Sequence, residues 1–101
     1  IILRGVNLFP TQIEELILTV PTLAPQFQCV LERSGRMDSL RVLVETRSDV
    51  TSNVRDTAAT TLRALVKDRI GVSVQVEVVE PAALERSIGK ARRLIDKRLP
   101  S

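Results

Sequence analysis

The sequence predicts an α+β domain in the order strand, helix, strand, strand, helix, strand, with both helices on one face of a mostly antiparallel sheet. Three signals carry this. Apolar residues recur at helical spacing in two stretches and alternate with polar ones in three others. The breaks between them fall at Gly5, Pro21, Pro25, Gly35, Gly71 and Pro81.

Ile1 to Arg4 reads as the end of a short buried strand, broken by Gly5. Thr11 and Glu14 have capping-box spacing after Pro10, and Ile13, Leu16, Ile17 and Val20 then trace one helical face. Pro21 and Pro25 close it. Phe27, Cys29 and Leu31 share one side of a strand, and Leu40, Val42 and Val44 alternate on the way back from a turn at Ser34-Gly35-Arg36, which makes a hairpin. The polar run from Ser48 to Asn53 supplies caps for a second helix. Its stripe is Val54, Ala58, Leu62 and Leu65, with Arg69 an exception, and Gly71 is its natural stop. Val72, Val74, Val76 and Val78 give the clearest period of two in the chain. After Pro81 comes a loop to Lys90, and Arg92 to Leu99 reads as a last strand or a helical turn. Gln28, Arg41, Glu45, Gln75 and Glu77 form the outward, polar side of the sheet.

This is the ferredoxin-like βαββαβ pattern, and the fold alone does not decide function. Base stacking on the sheet, as in RNA-binding modules, needs aromatic rings. The chain has Phe9 and Phe27 but no Tyr or Trp, and both phenylalanines read as core, so nucleic acid is not an expected partner.

At 101 residues the chain is one domain, too small to hold a two-substrate enzyme on its own. No apolar run reaches the roughly 18–20 residues of a membrane span, and no signal peptide is visible. Cys29 is the only cysteine and histidine is absent, which excludes a disulfide framework, a Cys/His zinc site and Ser-His or Cys-His catalysis within the chain. No metal ligands are expected, and a cytoplasmic setting fits. Opening on Ile1 in mid-strand, the chain reads as a piece of a longer protein.

The net charge is +3, from 15 Lys and Arg against 12 Asp and Glu, and residues 85–101 account for all of that surplus. A solvated tail and an anion-binding loop both fit such a run. Gly89-Lys90 invites comparison with a nucleotide phosphate loop. That motif needs glycine at position 84 and Ser or Thr after the lysine, where Leu84 and Ala91 stand. It is not a Walker loop.

Two stretches read together give a sharper indication. Arg4-Gly5-Val6-Asn7-Leu8-Phe9-Pro10-Thr11-Gln12-Ile13-Glu14-Glu15 and Arg86-Ser87-Ile88-Gly89-Lys90-Ala91-Arg92-Arg93-Leu94-Ile95-Asp96 resemble the C-terminal domain of the adenylate-forming enzymes, in the branch of the phenylacetate-coenzyme A ligases. The resemblance covers essentially all of residues 1–101. It implies a C-terminal lid that works with an N-terminal adenylation domain carrying the ATP loop and the acid pocket. The partners implied are a small aryl carboxylic acid, Mg2+ with ATP, and coenzyme A, with room for a homodimer of the full-length protein. The acid and ATP give an acyl-adenylate and pyrophosphate. The lid then turns, and the thiol of coenzyme A displaces AMP.

On the same resemblance, Lys90 is the catalytic residue of adenylation, its ammonium offsetting charge between carboxylate and α-phosphate. Arg4, Gly5, Val6 and Asn7 line the pantetheine tunnel in the second step. Arg86 and Gly89 belong to the cofactor-binding set, Arg86 meeting either a coenzyme A phosphate or the partner domain. Many relatives carry a lysine where this chain has Ile2, so no lysine serves the thioester stage there. Plainer readings stand beside these. Gly5 also serves as a positive-φ break, Asn7 as a turn residue, Phe9 as a core plug, and Arg92 and Arg93 as solvated charges. Alone, the chain is expected to be catalytically inert. The competing function is a free-standing ferredoxin-like domain that binds a regulatory ligand.

Overall fold

A computed structural model of the chain describes residues 2–47, 50–84 and 94–98. The elements are β1 (Ile2–Leu3), β2 (Val6–Asn7), α1 (Pro10–Leu18), β3 (Leu23–Ser34), β4 (Met37–Thr46), α2 (Ser52–Arg69), β5 (Gln75–Val79) and β6 (Leu94–Asp96). The two-helix α+β class holds. One change concerns the first strand, which among the described residues pairs only with β2, in a small hairpin of its own. The main sheet has the order β5-β4-β3-β6. Its central pair, β3 with β4, is antiparallel, while β5 and β6 each join an edge in parallel, so the sheet is mixed. The segment after residue 93 is a strand, not a helical turn.

Gly35, with φ of +63°, sits at the first position of a two-residue turn that pairs Ser34 with Met37. Glycine is what a type II′ hairpin turn requires there. That turn sets the register that puts Phe27, Cys29 and Leu31 opposite Val44, Val42 and Leu40. These six are buried on one face, under Ile13 and Ile17 of α1 and Ala58, Leu62 and Val66 of α2. α1 packs on β3 and α2 on β5, and the helices touch each other. The α2 stripe therefore runs through Val66, not Arg69. Gly71, at φ +92°, donates its N–H back to the Val66 carbonyl and ends the helix as expected. Val72 and Val74 are buried in the core just before β5 begins.

Five local expectations change. Helix α1 starts two residues ahead of where a Thr11 cap would put it, on Pro10, whose missing N–H costs nothing at a first helical position. The cap is formed by Gln12, whose Oε1 accepts the Phe9 N–H at 2.8 Å, and not by Thr11 with Glu14. Phe9 is half exposed and plugs no core. Glu45, expected on the solvated side of the sheet, is 1% exposed. Pro25 does not end a helix but lies where the β3–β4 register shifts between Leu23 and Phe27, as a residue with no ladder donor must.

Candidate functional site

Two regions carry the residues singled out above. Arg86, Gly89 and Lys90, together with Arg92 and Arg93, lie outside the described residues. The other region is the hairpin of β1 and β2, and it is described in full from Ile2.

Leu3 faces Val6 and Ile2 faces Asn7, which leaves Arg4 and Gly5 as a two-residue turn. Both have positive φ, 49° and 82°, the condition for a type I′ turn. Glycine meets it without strain, and arginine does so against its preference. A Cβ built on Gly5 would meet no atom within 4 Å. The domain itself therefore needs glycine there for its backbone alone, and the space beside it is open. Buried Leu3 and Leu8 anchor the base of the hairpin, Val6 packs half-buried against the core, and Asn7 is exposed. The Arg4 guanidinium donates to the Ser73 carbonyl, tying the turn to the segment that leads into β5. Arg4 also lines an open cleft of about 370 Å3 with Ser34, Arg36, Met37 and Asp38.

The described residues that flank segment 85–93 are held at both ends. On its N-terminal side, the Glu45 carboxylate of β4 accepts the Ala82 N–H at 2.8 Å on Oε1 and the Leu84 N–H at 3.1 Å on Oε2. Glu45 alternates with the helix-facing Val44, so residues 82–84 lie over the sheet face away from the helices. On the C-terminal side, β6 runs parallel to β3, with Val30 opposite Ile95. The Lys97 N–H extends the ladder to the Leu31 carbonyl at 2.7 Å.

Arg98 then binds two carboxylates, Asp96 at 3.1 Å and Asp38 at 2.9 Å, and Asp38 is shared with Arg33 at 2.8 Å. The hydrogen bonds from Arg33 and then Arg98 hold the Asp38 carboxyl below its ordinary value, and those from Arg98 do the same for Asp96. The Asp96 and Asp38 hydrogen bonds raise Arg98 in turn.

Sequence reasoning missed Glu45, Asp38 and Arg98. In the alternating pattern Glu45 looks the same as Glu77, which does face solvent and lies 3.8 Å from Arg41. Arg98 had counted only as tail charge. Among the described residues no three His, Cys, Asp or Glu side chains come together as a metal site, and no helix is long and apolar enough to cross a membrane.

The family model described as the AMP-binding enzyme C-terminal domain matches residues 5–98. A phenylacetate-coenzyme A ligase of Aromatoleum evansii is 47% identical over 105 residues, which takes in 97% of this chain and 23% of that ligase. The chain thus spans about a quarter of the length of the curated relatives it matches. Among solved structures, a domain of phenylacetate-coenzyme A ligase from Bacteroides vulgatus superposes with a TM-score of 0.87 at 32% identity, covering 98% of this chain and 92% of that one. A 2-hydroxyisobutyryl-CoA ligase with 2-HIB-AMP and CoA in the thioesterification state gives 0.86 at 30% identity, over 95% of this chain and 20% of its own. In its postadenylation state the same ligase gives 0.82.

Proposed function

This chain belongs to the family of AMP-binding enzyme C-terminal domains, and we propose that it is the mobile lid of an AMP-forming aryl-acid coenzyme A ligase acting on phenylacetate. The observation that carries the reading is the 47% identity, over 97% of the chain, to a protein named phenylacetate-coenzyme A ligase. The likeness to a coenzyme A ligase complexed in the thioesterification state supports a part for this domain in the second half-reaction.

In this reading Lys90 enters the site first. Its ammonium lies between the acid carboxylate and the α-phosphate, where negative charge builds as the oxygen attacks phosphorus and pyrophosphate leaves. The domain then turns, and the Arg4-Gly5 turn faces the channel through which the thiol arm of coenzyme A approaches. The open space beside Gly5 suits a narrow chain passing close to backbone. Arg4 contributes by holding the turn through Ser73, and Val6 by seating it on the core. Asn7, Gly89 and Arg86 complete the cofactor-binding set, and the magnesium of Mg-ATP is assigned to the N-terminal adenylation domain. A cytoplasmic setting and a homodimer of the full-length protein belong to the same proposal and rest on the resemblance.

The test is made on the full-length protein carrying this domain, by measuring AMP release and thioester formation with ATP, coenzyme A and a panel of acids. Phenylacetate should give the highest kcat/KM. AMP release that ignores every aryl acid would overturn the reading, and preference for another aryl acid would overturn the substrate assigned.

A further inference from the structure

We propose that Glu45 is a positioning residue for adenylation, which orients the root of the Lys90 segment through the backbone of Ala82 and Leu84. The inference rests on the role given to Lys90 above. Four observations on described residues lead to it. Glu45 is 1% exposed, on a sheet face where Arg41 of the same strand and Glu77 of β5 reach solvent. Both of its oxygens are used, Oε1 by the Ala82 N–H and Oε2 by the Leu84 N–H. Ala82 holds a φ of +65°, which an L-residue adopts only when its surroundings enforce it. Leu84 is the last described residue before segment 85–93, in which Lys90 lies.

The chemistry explains why a carboxylate occupies this position. Two N–H groups converge on one side chain, so it must offer two acceptors and no donor. An ionised carboxylate does this with charge-assisted bonds. A turn at Glu80 to Ala83, closed by the Ala83 N–H on the Glu80 carbonyl at 3.1 Å, leaves the two N–H groups aimed at β4. Thr46 adds a weaker tie from its hydroxyl to the Val79 carbonyl at 3.4 Å. The chain leaving β5 is thereby fixed to the central strand before the lysine segment begins. An ammonium that must meet a developing charge loses much of its effect if its root drifts by about 1 Å.

Glu45→Gln tests this, because it preserves shape while setting an amide NH2 against one backbone N–H. The variant and Lys90→Ala are compared in the full-length enzyme by three measurements. These are acid-dependent ATP–pyrophosphate exchange, thioester formation from supplied acyl-adenylate, and amide hydrogen exchange over residues 80–84. In Glu45→Gln, exchange into pyrophosphate should fall about 10- to 100-fold in kcat with KM for ATP within about twofold. Thioester formation should stay within about twofold of wild type, and amide exchange at 80–84 should speed up. Equal loss of both half-reactions, which a merely structural role would give, would overturn the inference. So would unchanged adenylation beside an inactive Lys90→Ala. Full adenylation by Lys90→Ala would instead bring down the reading of Lys90, and this inference with it.

Discussion

Arg98 Nη1 donates to Asp38 Oδ2 at 2.9 Å across residues 60 apart in sequence, so one guanidinium fastens the strand at the chain's end to the central hairpin. The same group holds Asp96 on its own strand, through Nη2 at 3.1 Å. β6 has three residues, at the short end for a strand, and the bridge adds a side-chain tie beside its ladder.

The bridge predicts an acid-sensitive attachment. Asp38 and Asp96 have folded pKa values below the ordinary 3.8, so their contribution is complete above that value and is lost as pH falls through the depressed ones. Comparing the thermal midpoint of wild type with Asp38→Asn should show a gap that is constant near neutrality and shrinks below about pH 4. Molar salt should narrow it too, since the pair is partly exposed. A gap unchanged down to about pH 2 would mean that Asp38 acts by shape and not by charge.

On the role proposed for it, Lys90→Ala in the full-length protein should lower adenylate formation about 100-fold or more, the usual scale for removing one group that stabilises charge at the transition state. Thioester formation from supplied phenylacetyl-adenylate should persist. Separate assays of pyrophosphate release and thiol consumption distinguish the two.

Gly5 admits a sharper experiment than bulk alone. An ordinary residue at its φ of +82° costs about 1–2 kcal/mol, and Asn less. Gly5→Asn should therefore fold almost as well as wild type, with a thermal midpoint close to it. If the space beside Gly5 receives the thiol arm, Gly5→Asn and Gly5→Leu should both slow thioester formation and spare adenylation. Full thioester activity in Gly5→Asn would reduce the glycine to a turn former.

In the core, Leu62 is fully buried where α2 meets the sheet. Leu62→Ala should destabilise the domain by about 2–5 kcal/mol in denaturant unfolding. Leu18→Ala, at a position 62% exposed, should change it by no more than about 0.5 kcal/mol.

The helices, the β3–β4 hairpin and the stop at Gly71 were legible in the sequence because each rests on a local signal: a period, a turn glycine, a cap. The fate of the first strand was not. Ile2 and Leu3 look like any sheet strand, and only the positive φ of both Arg4 and Gly5 turns them back onto Val6 and Asn7. The parallel seating of β5 and β6 was also hidden, since alternation says which face a residue takes but not which neighbour it pairs with. Of the candidate site, the Arg4–Asn7 turn could be found by resemblance. Glu45 could not, because what buries it is a loop that comes 37 residues later.

Strand β4 holds Asp38 near one end and Glu45 near the other, and β1 packs against it as well. The two loops given opposite halves of the reaction are thus surveyed from a single baseline. Removing one residue from the middle of β4 would reverse the face of either Asp38 or Glu45 relative to the core. The same deletion would shift the frame that carries the Gly5 turn. A length change in a strand that bears no proposed catalytic residue should for that reason injure adenylation and thioester formation together, whereas the loop substitutions above injure them one at a time.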